Sequence, residues 1–277
     1  MRRAAAGAIP AAAGAALLAA TLSGCGAVPH GTPAVGAQTA TPQQYIAPPV
    51  HVSAAQEAKL PQATTYATIP AAPADPARFA ATSGLVVHPL AAQVVYAGPG
   101  KAPIAVLPAT ELGGPTWVPV IRTGPGWDQV LLPSRPDHIT GWIYTGGANA
   151  KLDTRRTSYV LRVDLAAHRL SVYNDGKLLG AWTVAIGAPG TPTPKGRTFL
   201  LALLAPADPT YSPLILPLGT HSNALSTYGG GPGTVGIHGW PDTSVFGQSV
   251  SNGCVRVPTA ALHLVSTIPL GSLVVIS

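Results

Sequence analysis

The strongest constraint on this chain is a rhythm of short β-prone runs broken by glycine and proline. Between residues 84 and 147 they are Val86-Val87, Gln93-Val94-Val95-Tyr96, Ile104-Ala105-Val106-Leu107, Trp117-Val118-Pro119-Val120-Ile121, Trp127-Asp128-Gln129-Val130-Leu131-Leu132 and Thr140-Gly141-Trp142-Ile143. Each run is too short for a helix and rich in the β-branched and aromatic residues that pack on a pleated surface. Each also ends at residues that preset or free the backbone for a turn. Evenly spaced short strands of this kind close into a small barrel. With 31 glycines and 30 prolines in 277 residues, the rest of the chain is equally poor in helix-forming stretches. An all-β protein is expected.

A second folded unit is expected over 157–277, after a polar stretch (148–156) that reads as a linker or connecting strand. Tyr159–Leu165 and His168–Tyr173 alternate apolar and polar residues, and Asn174-Asp175-Gly176-Lys177 between strands has hairpin-turn chemistry. Leu178–Ile186 continues the meander. Residues 205–235 hold many Pro, Gly, Ser and Thr, and a stretch of that length in a compact domain reads as a lid or flap. Pro258–Thr267 has helical spacing, and Ser272–Ile276 closes as a last strand.

Two other segments precede the barrel. Residues 1–24 combine Arg2 and Arg3 with an Ala/Leu-rich apolar run, the pattern of an export signal, and Leu22-Ser23-Gly24-Cys25 resembles the lipobox of bacterial lipoproteins. The resemblance implies cleavage before Cys25, lipidation on it, and anchoring on the outer face of the cytoplasmic membrane, facing the wall. Residues 25–82 are rich in Ala, Pro and Thr with few charges, and read as a disordered tether with at most a short helix around Ser53–Leu60. The small barrel is then bounded at 83–148. Its phrase Pro119-Val120-Ile121-Arg122-Thr123-Gly124-Pro125-Gly126-Trp127-Asp128 resembles the Src-homology-three-like barrels attached to cell-wall enzymes. Trp117, Trp127 and Trp142 belong either to its core or to a ligand-stacking face.

The chemistry is concentrated in Gly236-Ile237-His238-Gly239-Trp240 and Ser251-Asn252-Gly253-Cys254-Val255-Arg256-Val257, which set a histidine and a cysteine sixteen positions apart. A thiol attacks acyl groups as the thiolate, and a nearby imidazole can take its proton and return it to a leaving amine. Gly253 permits a tight turn and close approach of backbone N–H groups to a developing oxyanion. Cys254 is the only cysteine besides Cys25. An unpaired thiol in an exported protein needs a reason, and catalysis supplies one. The bland alternative is a small buried hydrophobe beside an ordinary histidine.

The whole spelling closely resembles the signature of the L,D-transpeptidase catalytic-domain family, and Thr193-Pro194-Lys195-Gly196-Arg197-Thr198-Phe199 resembles a second element of it. The resemblance covers 157–277. It implies a β-sandwich or barrel catalytic domain with one short helix near the C-terminus. It also implies a cross-linking acyltransferase acting on peptidoglycan stem peptides as donor and acceptor. Cys254 would be the nucleophile and His238 the general base and acid, with the Gly239 carbonyl orienting the imidazole. The N–H groups of Cys254 and Gly253 would form the oxyanion hole. Arg256 either holds a substrate carboxylate or braces the loop, and Ser251 supports that loop. Tyr228, on the flap, is expected beside the substrate, and carbapenem-type inhibitors are expected to acylate Cys254.

Two departures stand out. Asn252 occupies the place of a frequent second histidine and cannot take up a proton at neutral pH. Trp240 stands where a small polar residue is common, and would narrow the donor site or stack in it. No metal or cofactor is expected, since two ligands without a third do not make a site. The formal net charge of +6 falls to +4 without Arg2 and Arg3, and no basic run with interleaved aromatics points to nucleic acid. The acceptor stays open between an amine and water, which would make the enzyme a carboxypeptidase or endopeptidase. A non-catalytic wall-binding lipoprotein is the remaining alternative.

Overall fold

The computed structural model describes residues 45–147 and 150–277. The expected leader, Cys25 with its lipid anchor and the start of the tether lie outside the described residues. No described helix is long and apolar enough to cross a membrane.

The architecture is all-β. The first sheet has seven antiparallel strands in the order Pro103–Leu107, Gln93–Tyr96, Thr140–Tyr144, Trp127–Leu131, Val118–Gly124, Leu85–Pro89 and Leu152–Arg156. Leu152–Arg156 comes from the stretch read as a linker or strand, and it pairs along the full length of Leu85–Pro89. Trp117 and Trp127 are buried, at 6% and 1% exposure, so they serve the core and not an open stacking face. Trp127 packs edge-on against Tyr96 and Tyr144, with ring centroids 5.3 and 5.1 Å away. Trp142 is half-buried.

The tether reading fails for residues 45–82, which are folded chain. Ala47 and Val50 lie across the barrel's aromatic cluster, where their carbonyls accept from Trp127 Nε1 (2.8 Å) and from the Tyr96 hydroxyl (3.1 Å). Ala54–Glu57 is a one-turn helix closed by a capping box between Ser53 and Gln56. Beyond it, Ala63 and Ile69 donate backbone hydrogen bonds to Val106 and Arg135 and are themselves buried. Asp75 makes a bidentate pair with Arg197, both bonds 2.7 Å, with side-chain exposures of 0% and 3%. Isolated anchors joined by backbone bonds leave no periodic apolar face, which is why composition alone suggested disorder.

The second unit is built on a five-stranded sheet ordered Lys177–Thr183, Arg169–Asn174, Tyr159–Asp164, Leu273–Ile276 and Gly196–Phe199. The turn between Arg169–Asn174 and Lys177–Thr183 puts Asp175 and Gly176 at φ +50° and +73°, the primed geometry that its Asp-Gly spelling favours. Leu273-Val274-Val275-Ile276 is buried on both faces, as a continuous apolar run predicts. Val274 and Ile276 join Leu161, Val163, Leu170 and Val172 in one core. Leu273 and Val275, with Phe199 and Leu201, join the barrel's Val87, Val118 and Ile143 in the other. One sheet therefore separates and serves two cores, and barrel and second unit are continuous.

A three-stranded sheet completes the unit: Ile215–His221, then Thr234–Gly239, then Val255–Val257, with the last pair parallel. The region expected as one flap over 205–235 is thus divided. Ile215–His221 is almost entirely buried, and the exposed loops on either side of it remain. The longest helix among the described residues is Thr259–Val265, within the stretch where helical spacing placed it.

Candidate functional site

The period of a β-strand sets the site. His238 is opposite Arg256 and Ile237 opposite Val255 in the parallel pair. Side chains alternate between faces, so Ile237, Val255 and Val257 enter the core while Gly236, His238, Cys254 and Arg256 share the other face. All four of those residues line one cavity of about 650 Å³, together with Tyr211, Tyr228, Trp240, Ser251 and Asn252.

His238 is buried, and its Nδ1 lies 2.7 Å from the Gly239 carbonyl. A carbonyl only accepts, so Nδ1 carries the proton and Nε2 keeps the lone pair, as a general base requires. The Gly239 peptide is held in turn by a residue that sequence reasoning missed. Gly239 N–H donates to the buried Ser212 Oγ (2.7 Å), which itself donates to the Leu214 carbonyl (2.6 Å). A Cβ on Gly239 would sit 3.1 Å from that Oγ, so the fit favours glycine.

The Cys254 loop is fixed by side-chain oxygens. Ser251 Oγ accepts from Gly253 N–H (3.1 Å) and donates to the Cys254 carbonyl (2.6 Å). Thr191 Oγ1 donates to the Ser251 carbonyl, and Thr193 Oγ1 to the Gly253 carbonyl, both at 2.8 Å. Gly253 adopts φ +114°, a conformation side chains rarely take. Its N–H is spent on Ser251, which removes it as an oxyanion donor. The Cys254 N–H has no acceptor among the described residues and stays free for that purpose. Asn252 is exposed, and its side chain has no hydrogen-bond partner among the described residues.

Burial pushes the Cys254 thiol up, partly offset by the Gly236 N–H that points at the sulfur from 3.4 Å and by the Arg256 charge. Burial also pushes His238 down; its bond to Gly239 acts against this and the Arg256 charge with it. Both shifts favour a neutral thiol beside a neutral imidazole.

Aromatic rings frame the cavity. Tyr211, also unforeseen as a site residue, meets His238 edge-on at 5.3 Å. The Arg256 Cζ lies 3.5 Å above the Trp240 ring, a cation–π stack, and its guanidinium has no hydrogen-bond acceptor among the described residues. Tyr228 is more than half exposed on the cavity rim. No cluster of three metal-ligating side chains occurs among the described residues.

A half-buried thiol and an oriented imidazole share one cavity on a β-scaffold, and residues 158–276 match the YkuD family, described as the L,D-transpeptidase catalytic domain. A Bacillus subtilis protein provisionally named L,D-transpeptidase YqjB is 32% identical over 127 residues, spanning 43% of this chain and 70% of that one. The similarly named YkuD of Bacillus licheniformis is 30% identical over 153 residues, spanning 54% and 86%. The chain belongs to the L,D-transpeptidase catalytic-domain family. Among solved structures, an L,D-transpeptidase from Mycobacterium smegmatis is similar at 16% identity and a TM-score of 0.36, over 58% of this chain and 99% of that one.

Proposed function

We propose that this protein is a peptidoglycan L,D-transpeptidase working through a Cys254 thioester. The observation that carries the reading is the His238 tautomer: Nδ1 is committed to the Gly239 carbonyl, leaving Nε2 as the base on the face that also holds Cys254. The sulfur attacks the carbonyl that precedes the terminal D-alanine of a tetrapeptide stem as His238 takes the thiol proton. The oxyanion forms against the Cys254 N–H. The imidazolium then protonates the departing amine of D-alanine. A side-chain amine of a diamino acid on a neighbouring stem attacks the thioester, gives up a proton to His238 and releases the thiolate. Arg256, stacked on Trp240 with its planar fork uncommitted, holds a carboxylate of the stem. The same site releases a free tripeptide if water is the acceptor. We also assign the chain to the outer face of the cytoplasmic membrane, anchored through a lipid on Cys25, on the strength of Leu22-Ser23-Gly24-Cys25.

Purified protein incubated with disaccharide-tetrapeptide is expected to yield a cross-linked dimer minus one D-alanine by mass spectrometry. A carbapenem is expected to add one covalent mass on Cys254 and none in Cys254→Ala. Tripeptide alone would move the assignment to the hydrolytic reaction, and an adduct away from Cys254 would overturn the mechanism.

A further inference from the structure

The loop carrying Tyr228 is tied to the barrel through one turn of it. Arg135 sends its guanidinium into the loop that joins Ile215–His221 to Thr234–Gly239. Nη1 and Nη2 both donate to the Ser222 carbonyl (3.2 and 3.3 Å), and Nη2 also donates to the carbonyls of Leu225 (3.2 Å) and Pro232 (2.9 Å). Two residues on, Asp137 holds the root of the same loop. Its carboxylate accepts from Thr220 Oγ1 (2.8 Å) and from the backbone N–H of His221 (2.9 Å), and meets His221 Nδ1 at 3.0 Å. Arg135 is itself fixed: its N–H donates to the Ala67 carbonyl (2.9 Å), and its carbonyl accepts from Ile69 N–H (2.7 Å). At the far root, Thr234 Oγ1 lies 2.6 Å from Thr65 Oγ1.

The loop's own bonds sit mainly at its root, where Ser222 N–H donates to the Gly233 carbonyl (2.8 Å) and Ser222 Oγ accepts from the N–H groups of Ala224 (3.3 Å) and Leu225 (3.1 Å). Residues 223–231 are nearly all exposed, and the turn at Tyr228 closes only on itself through paired bonds with Gly231. Three carbonyls converging on one guanidinium therefore fix where Tyr228 and Gly229 stand on the cavity wall. Arg135 supplies a rigid planar fork, which a flexible ammonium matches poorly.

We infer that Arg135 is a positioning residue for the substrate pocket: the barrel acts on the site by holding the loop that presents Tyr228. The inference rests on the transpeptidase reading for what the pocket binds. The loop's attachment to the barrel does not depend on that reading. With the loop released, substrate binding suffers while the Cys254–His238 chemistry, built on other strands, continues.

The test uses the full folded chain as wild type, Arg135→Met and Arg135→Lys. Amide hydrogen exchange is expected to quicken about tenfold or more across 222–233 in Arg135→Met, less in Arg135→Lys, and not in Thr259–Val265. KM for disaccharide-tetrapeptide is expected to rise about tenfold in Arg135→Met with kcat within about threefold, and Arg135→Lys to recover part of the loss. Unchanged exchange in the loop overturns the inference, as does a fall in kcat at constant KM. Wild-type protein inert toward the tetrapeptide would sink the transpeptidase reading, and the exchange measurement then decides the role of Arg135. Should Arg135→Met fail to fold, Arg135→Lys is read in both assays, and wild-type values in both overturn the inference.

Discussion

Replacing Asp75 by alanine tests whether residues 45–82 belong to the folded unit in solution. Asp75 gives both carboxylate oxygens to Arg197 and also accepts from the Ala77 N–H (2.9 Å). Arg197 keeps one further bond, from Nη1 to the Ala80 carbonyl. Asp75→Ala therefore strands a guanidinium whose side chain is 3% exposed. Removing one partner of a buried pair costs about 3–5 kcal/mol, because the other charge is left without compensation. For a folded unit of this size each kcal/mol lowers Tm by roughly 2–4 °C, so a fall of about 6–20 °C is expected. Urea unfolding followed by tryptophan fluorescence gives the same quantity as a midpoint shift. Arg197→Met is expected to cost a comparable amount, and the double variant Asp75→Leu with Arg197→Met less than the sum of the two, since no lone charge remains. A loss below about 1 kcal/mol in each single variant would show that this segment does not pack on the second unit.

Three further outcomes are expected. In the proposed mechanism His238 is neutral when it acts as base, and its pKa is lowered from 6.5, so the rate of acylation should hold as pH falls through that value and drop only below it; a rate already halved above pH 6.5 would refute the burial argument. The Glu111 carboxyl is raised from 4.5 to about 7 by burial, offset in part by the Thr65 N–H, and its second oxygen has no partner. The folded state thus favours the protonated form, stability declines as pH rises from 4.5 through 7, and Glu111→Gln should raise the urea midpoint at pH 8 by up to about 3 kcal/mol equivalent while changing little at pH 4. Asn252→Ala should leave Tm within about 1 °C, because its exposed side chain makes no bond to lose; calorimetry checks this, and a drop of several degrees would mean the loop is held differently.

Much of the fold was legible because its elements obey local rules. The Asp175-Gly176 turn, the Thr259–Val265 helix and the fully apolar Leu273–Ile276 strand each declare themselves within a few residues. His238 and Cys254 were legible for a related reason: His238 lies in one of two short runs that pair in parallel and Cys254 immediately precedes the other, so proximity in sequence becomes proximity in space. What escaped notice acts through single atoms over long separations. Ser212 touches the site with one oxygen, 27 positions before Gly239, and nothing in its neighbours marks it. Ile215–His221 was hidden because Pro217 inside the run argues against a paired strand, yet Pro217 still accepts there through its carbonyl from Leu201 N–H (2.9 Å). His221, which lies outside both catalytic-looking runs, is fully buried between Asp137 and Thr65, so its loss is a matter of stability.

The sheet with two apolar faces bears on how such a protein can change over generations. A catalytic unit whose outer face is polar can exchange its companion module at will, because the junction is only a linker. Here Phe199, Leu201, Leu273 and Val275 point into the barrel's core. A lineage that lost or swapped the barrel would have to recolour that face with polar residues or offer another apolar surface of matching shape. Change in one half therefore constrains the other, and a relative that lacks the barrel should betray it by hydrophilic residues, or a different apolar cover, at those four positions.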